Sequence, residues 1–191
     1  MAKGGIRWVI GVKANPPDFI KKWTVKYYTC HYKPSTFVET GTFRGAMIDE
    51  VKLLYKKIYS VELDPSLYIQ AKNKFANEDR ITILEGDSAS VLPKIMEKID
   101  DRCLFWLDAH YSGIMGGVMT AKGGKDTPII EELAVIAKHK IKNHVLLIDD
   151  AIDFQGNSGY PTMNEFESFI SHNFPNHAMR IKFNIIRVYP R

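Results

Sequence analysis

Five apolar runs between Thr36 and Asp149 each stop at a carboxylate: "TFVE", "KIYSVELD", "RITILEGD", "CLFWLD" and "HVLLID". Segments with helical spacing separate them. This alternation constrains the fold more than any other feature. A run that is apolar almost throughout has no face to turn to water, so it must be covered on both sides. Strands alternating with helices give parallel crossovers, and hence an α/β domain with a parallel sheet between two helical layers.

The intervening segments support this. "RGAMIDEVKLLYK" places Met47, Ile48, Val51, Leu54 and Tyr55 on one helical face. "PSLYIQAKNKFA" starts with Pro65, which suits a first turn. "SASVLPKIMEKI" turns Val91, Leu92, Ile95 and Ile99 inward, and "TPIIEELAVIAKH" reads as a helix with Thr127 as N-cap and Pro128 behind it. Beyond Asp150 the order changes. "TMNEFESFISHNF" is helical, with Phe166, Phe169, Ile170 and Phe174 inward. "MRIKF" and "IIRVYP" then predict an antiparallel hairpin turning at Asn184 and closing the sheet. Residues 1–35 form an arm: irregular to Pro16-Pro17, then a helix over "DFIKKWTVKYY" with Phe19, Ile20, Trp23 and Tyr27 on one side. With Trp23, Tyr27 and Tyr28 this arm is expected to cap a pocket of the domain at 36–191.

Bulk properties exclude several function classes. The 191 residues are 45% hydrophobic, enough for one sizeable core. The net charge of +4 comes from lysines spread among acids, as in "DEVKLLYKK", rather than from a basic stripe, which argues against a nucleic-acid partner. No run approaches the roughly 18 apolar residues of a membrane span, and the first residues lack the order of a signal peptide. Cys30 and Cys103 have no metal-ligand spacing, and Cys103 opens an apolar run, as a buried thiol would. Together these predict a cytoplasmic protein without a membrane partner. Oligomeric state is left open.

In an open parallel sheet, ligands sit beyond the carboxyl ends of the strands, where the five acids fall. After the first run, Glu39, Thr42 and the glycines Gly41 and Gly45 shape the turn into a helix whose amino end offers free amides. The pattern is neither the dinucleotide G-x-G-x-x-G nor a P-loop. After the second run, Glu62 or Asp64 stands where an acid can accept from ribose hydroxyls. After the third, Asp87 can accept from an adenine amino group, and Ser88 can donate or cap. Each acid alone is also a plausible helix cap; the ordered series is harder to read as caps.

"VETGTFRG", "VELD", "GDS", "WLDAH" and "LIDD" resemble the successive motifs of class I S-adenosylmethionine-dependent methyltransferases over about residues 36–190. The resemblance implies a Rossmann-like seven-stranded sheet, order 3-2-1-4-5-7-6 with strand 7 antiparallel. It implies that the Glu39–Gly45 turn, with Gly41 and Thr42, holds the methionine end of the cofactor. Glu62 would hold the ribose, Asp87 and Ser88 the adenine, and Asp108 would border the cofactor. "GDSASVLP", "FWLDAH" and "LLIDDA" are similar to the metal-dependent small-molecule O-methyltransferases of the catechol and macrolide-sugar types. That similarity implies magnesium, or another divalent cation, on Asp108, Asp149 and Asp150, and as acceptor a hydroxyl of a small molecule such as a sugar or natural product.

Two departures stand out. The catechol-type enzymes carry a lysine base three positions after the first metal aspartate; Tyr111 stands there here, which leaves His110, beside Asp108, as the nearest candidate base or extra ligand. A glycine-rich stretch, "SGIMGGVMTAKGGKD", precedes "TPIIEEL"; it reads either as a surface insertion or as a lid that could contact a phosphate or carboxylate through Lys122 or Lys125. The competing expectations are a metal-independent methyltransferase and a non-catalytic protein that binds the same cofactor.

Overall fold

The computed structural model describes residues 16–108 and 127–191, together with the backbone of a two-residue antiparallel pairing, 114–115 with 118–119. His110, Tyr111, Lys122 and Lys125 lie outside the described residues. The strands are β1 (Thr36–Thr40), β2 (Lys57–Glu62), β3 (Ile81–Glu85), β4 (Cys103–Leu107), β5 (Val145–Ile148), β6 (His177–Lys182) and β7 (Ile185–Pro190). They form one sheet in the order β3-β2-β1-β4-β5-β7-β6. The first five are parallel, and β7 runs antiparallel to both β5 and β6. This is the predicted order, with the predicted antiparallel strand.

Side chains alternate along each strand, so neighbours serve opposite layers. Val38, Tyr59, Phe105 and Leu146 join a core with Leu92 and Ile95 of α4 (Ser88–Met96), Leu133 and Ile136 of α5 (Ile129–Lys138) and Phe166 and Ile170 of α6 (Met163–Asn173). Phe37, Ile58, Leu104 and Leu147 face the other way, onto Ile48 of α2 (Ala46–Val51), Phe75 after α3 (Pro65–Lys74) and Val25 and Tyr28 of α1 (Asp18–Tyr32). Helices therefore cover both faces. None of the described helices is long and apolar enough to cross a membrane.

Three local expectations are corrected. The aromatic side of α1 faces outward: Phe19, Trp23 and Tyr27 are exposed, and the buried stripe is Thr24, Val25, Tyr28 and Thr29. α2 stops at Val51, so Leu54 is exposed although Tyr55 is buried. The chain must turn there to reach β2, and the Lys56 amide already donates to the Ser35 carbonyl at 2.9 Å. α5 begins one residue late, with Pro128 at its cap, although the Thr127 hydroxyl still accepts from the Ile129 amide at 3.3 Å.

The hairpin turns as expected. Phe183 and Asn184 have φ of 53° and 58°, the two left-handed residues of a tight hairpin turn. The hairpin also anchors α1. The Arg187 guanidinium, buried on β7, donates to the Thr24 hydroxyl at 3.3 Å and to the carbonyls of Ile185 and Lys182. The Tyr32 hydroxyl donates to the Pro190 carbonyl at 3.1 Å.

Candidate functional site

The carboxyl ends of β1 to β5 gather the acids in one row. At the β1–α2 turn, Gly41 (φ 92°), Phe43 (φ 48°) and Gly45 (φ 68°) reverse the chain. The amides of Gly41 and Thr42 donate to the Val61 carbonyl at 3.0 and 3.1 Å, which fixes the turn on β2. Gly45 has a packing reason to be glycine, because a Cβ there would lie 2.6 Å from Cε2 of Phe75. Behind the turn, Thr42 Oγ1 lies 2.6 Å from Ser60 Oγ, which donates to Glu39 at 2.7 Å. Burial pushes the Glu39 carboxyl up to about 8, more than the Ser60 bond lowers it.

Glu62 and Asp64 occupy different positions. Asp64 is the N-cap of α3, accepting from the Ser66 and Leu67 amides at 2.8 and 3.0 Å. Glu62 ends β2 and accepts from the Phe43 amide at 2.7 Å and the Asp64 amide at 3.0 Å, one on each oxygen. Each carboxylate oxygen keeps a further lone pair for a ligand. Burial raises the Glu62 pKa, against the backbone bonds that lower it. Asp87 caps α4 through the Ser90 amide at 3.1 Å. Ser88 is buried, and its hydroxyl, like that of Thr40, faces the Glu132 carboxyl without reaching hydrogen-bond geometry.

The carboxylates after β4 and β5 converge. One oxygen from each of Asp108, Asp149 and Asp150 lies within 4.8 Å of the others. The sheet register explains this: Leu107 pairs with Ile148, so Asp108 and Asp149 leave the sheet side by side. Their amides continue the ladder, Asp108 to the Thr40 carbonyl and Asp149 to the Leu107 carbonyl, both at 3.1 Å. Asp150 takes a left-handed φ of 53°, and Asn184 donates to its carboxylate at 3.1 Å. Asp149 is buried, and its carboxyl is pushed up to about 7, first by burial and then by Asp108 and Asp150. Lys21 of α1 opposes that shift: its ammonium forms an ion pair with Asp149. A cleft beside the cluster is lined by Leu107, Thr127, Glu132, Ile148 and Tyr160.

Two groups were not anticipated from sequence. Lys21 stands a turn before Val25 and Tyr28 on the buried stripe of α1, a spacing that marks it as inward-facing. Glu132 lies on the stripe Ile129–Glu132–Leu133–Ile136 of α5 and is 1% exposed. Burial pushes it up to about 7 despite the hydroxyls of Ser88 and Thr40.

No protein-family model and no curated sequence matches the chain. Solved structures do. The O-methyltransferase TomG from Streptomyces achromogenes, in complex with SAM, is 10% identical with a TM-score of 0.64, over 94% of this chain and 84% of that one. An O-methyltransferase from Bacillus cereus, in complex with SAH, is 12% identical with a TM-score of 0.63, over 92% and 83%. The SAH-bound methyltransferase PaMTH1 from Podospora anserina is 11% identical with a TM-score of 0.60, over 93% and 80%. With the strand order above, these likenesses define the architecture as the Rossmann-like class I S-adenosylmethionine-dependent methyltransferase fold.

Proposed function

We propose that the chain is an enzyme that transfers the methyl group of S-adenosylmethionine to a hydroxyl oxygen of a small molecule, a sugar or natural product, with a divalent cation at Asp108, Asp149 and Asp150. The observation that carries this reading is the meeting of three carboxylate oxygens within 4.8 Å at the ends of adjacent strands, beside the glycine turn of this fold. The donor set suits magnesium, which takes hard oxygen ligands, and three carboxylates leave room for substrate and water. The TomG, Bacillus cereus and Podospora anserina structures, bound to SAM or SAH, support the cofactor.

When bound, S-adenosylmethionine supplies an electrophilic methyl and the cation supplies Lewis acidity toward the acceptor oxygen. The chain's residues hold and orient. Gly41, Thr42 and Gly45 keep the turn open to the methionine end. Glu62, clamped by two amides, presents its remaining lone pairs to the ribose hydroxyls. Asp87 accepts from the adenine, and Ser88 contributes through its main-chain amide, since its hydroxyl faces Glu132. Asp108 stands between cofactor and metal positions, and His110 is the proposed base.

One observation favours a second reading. The Lys21 ammonium already contacts Asp149, and a fixed cation there could serve a metal-independent methyltransferase. Methyl transfer from labelled S-adenosylmethionine to a panel of hydroxylated acceptors, with excess chelator and then with magnesium, separates the two. The metal reading expects activity to vanish and return. It also expects Asp149→Asn to remove turnover while cofactor affinity, read by calorimetry, stays within about twofold. Full turnover in chelator, with a normally active Asp149→Asn enzyme, establishes the second reading instead.

A further inference from the structure

The acidic cluster is not built by the sheet alone. α1 crosses to the ends of β4 and β5 and lays Lys21 against them. The Lys21 side chain is 20% exposed, and the Asp149 side chain it touches is fully covered. Asp108 and Asp150 also act on this ammonium, so all three carboxylates share it. Apart from Lys21, neither Asp149 oxygen has a hydrogen-bond partner among the described residues, which leaves the buried carboxylate held by a cation rather than by fixed neutral donors. Such a carboxylate is ready to exchange one cation for another.

We propose that Lys21 is a tethered counter-ion of the Asp108–Asp149–Asp150 cluster, which a divalent cation must displace, so that cation entry releases the first turn of α1. This rests on the metal reading given above. The two occupants exclude each other because an ammonium on an Asp149 oxygen and a cation on the same carboxylate would stand within a few ångströms, as like charges in a covered site. Release is confined to the first turn. Farther along α1, Val25 and Tyr28 are buried in the core, and Thr24 is tied to Arg187. Among the described residues the first turn has no anchor in either core cluster: Phe19 is exposed, Asp18 and Ile20 lie outside both, and the neighbouring Lys22 makes only a partly exposed ion pair with Glu50 of α2 at 3.7 Å. The helix start therefore acts as a latch on the acceptor side, closed by Lys21 and opened by the metal.

Calorimetric titration of the full chain with Mn2+ alone tests this in wild type, Lys21→Met and Lys21→Arg, alongside hydrogen exchange of wild-type residues 20–22 with and without Mn2+. Lys21→Met is expected to bind at least tenfold more tightly than wild type, about 1.4 kcal/mol. Lys21→Arg, which keeps the charge, is expected to stay near wild type. Exchange of the first α1 turn is expected to rise on saturation while residues 25–29 stay protected. Equal Mn2+ affinity in wild type and Lys21→Met, with unchanged exchange, overturns the latch and leaves the metal site standing. No Mn2+ heat in either protein overturns both. If Lys21→Met fails to fold, the wild-type exchange measurement decides: protection of residues 20–22, the first amides of the helix with acceptors, that persists with bound Mn2+ overturns the proposal.

Discussion

Replacing Glu132 by glutamine is expected to stabilise the protein in a pH-dependent way. Glu132 is 1% exposed, and its carboxyl is pushed from the ordinary 4.5 to about 7, chiefly by burial. The folded chain therefore keeps a proton that the unfolded chain releases above pH 4.5. Stability falls as pH rises through that window, by about 1.4 kcal/mol per pH unit, and the loss is complete above pH 7, at about 3 kcal/mol. Glutamine has nearly the same shape, carries no charge, and would face the same Thr40 and Ser88 hydroxyls. Glu132→Gln should thus gain about 2–3 kcal/mol at pH 8 and almost nothing at pH 4.5. For a chain of this size that is a rise in Tm of roughly 5–10 °C at pH 8. Urea unfolding of both proteins at pH 4.5, 6 and 8, with chelator and without cofactor, gives the difference directly. Taking the difference cancels the titrations of Glu39, Asp149 and the histidines. A gain of equal size at every pH, or none at pH 8, would refute the argument that Glu132 is forced to hold its proton.

Three further outcomes are expected. Glu62→Ala should weaken S-adenosylmethionine binding by about 1.5–3 kcal/mol, the worth of charge-assisted bonds to ribose; an unchanged calorimetric Kd contradicts the ribose role. Gly45→Ala should cost about 1–3 kcal/mol in urea unfolding, because overpacking against Phe75 adds to a left-handed φ of 68°; wild-type stability would show that Phe75 yields freely. His144 should stay neutral at pH 5, since burial pushes it down to about 3 and its Nδ1 accepts from the Cys103 amide at 3.0 Å. With the folded pKa depressed, the stability this neutral ring contributes is intact above pH 6.5 and is lost as pH falls toward 3; an NMR titration midpoint near 6.5 would contradict this.

The sheet could be read from sequence because each strand carries its own information: a run apolar on both faces fits one place only, between two helical layers. The antiparallel closure was equally legible, since "MRIKF" and "IIRVYP" leave room for nothing longer than a hairpin. α1 was misread because hydrophobicity alone favoured Phe19, Trp23 and Tyr27. Packing chose the narrower Thr24–Val25–Tyr28 face, and with it brought Lys21 inward. Asp108, Asp149 and Asp150 announced themselves by ending apolar strands. Glu132 did not, because a glutamate within "IIEEL" resembles a solvated helix residue until the facing helix, α4, is placed. On spacing alone Glu62 and Asp64 could not be separated, and only the family resemblance pointed to Glu62. Which one caps α3 depends on where Pro65 starts the helix, and which one faces the turn depends on the Phe43 amide.

The link between α1 and the closing hairpin bears on how the chain is made. Thr24 and Arg187 are 163 residues apart, and Tyr32 and Pro190 are 158 apart. On a ribosome, α1 emerges well before the strand that holds it. Until β7 arrives, Val25 and Tyr28 lack part of their cover, and the Tyr189 ring in particular cannot yet pack, tilted, against Tyr28. The parallel sheet can assemble in the meantime from β1 to β5, each strand meeting partners already synthesised. The contacts of α1 with the hairpin can form only after the last strand is made, subject to the loop-closure entropy of the whole domain. A chain cut before Ile185 would lose β7, leave β6 without its partner strand, and strip α1 of its ties to Arg187 and Pro190, which weakens the hold on Lys21 over the aspartates.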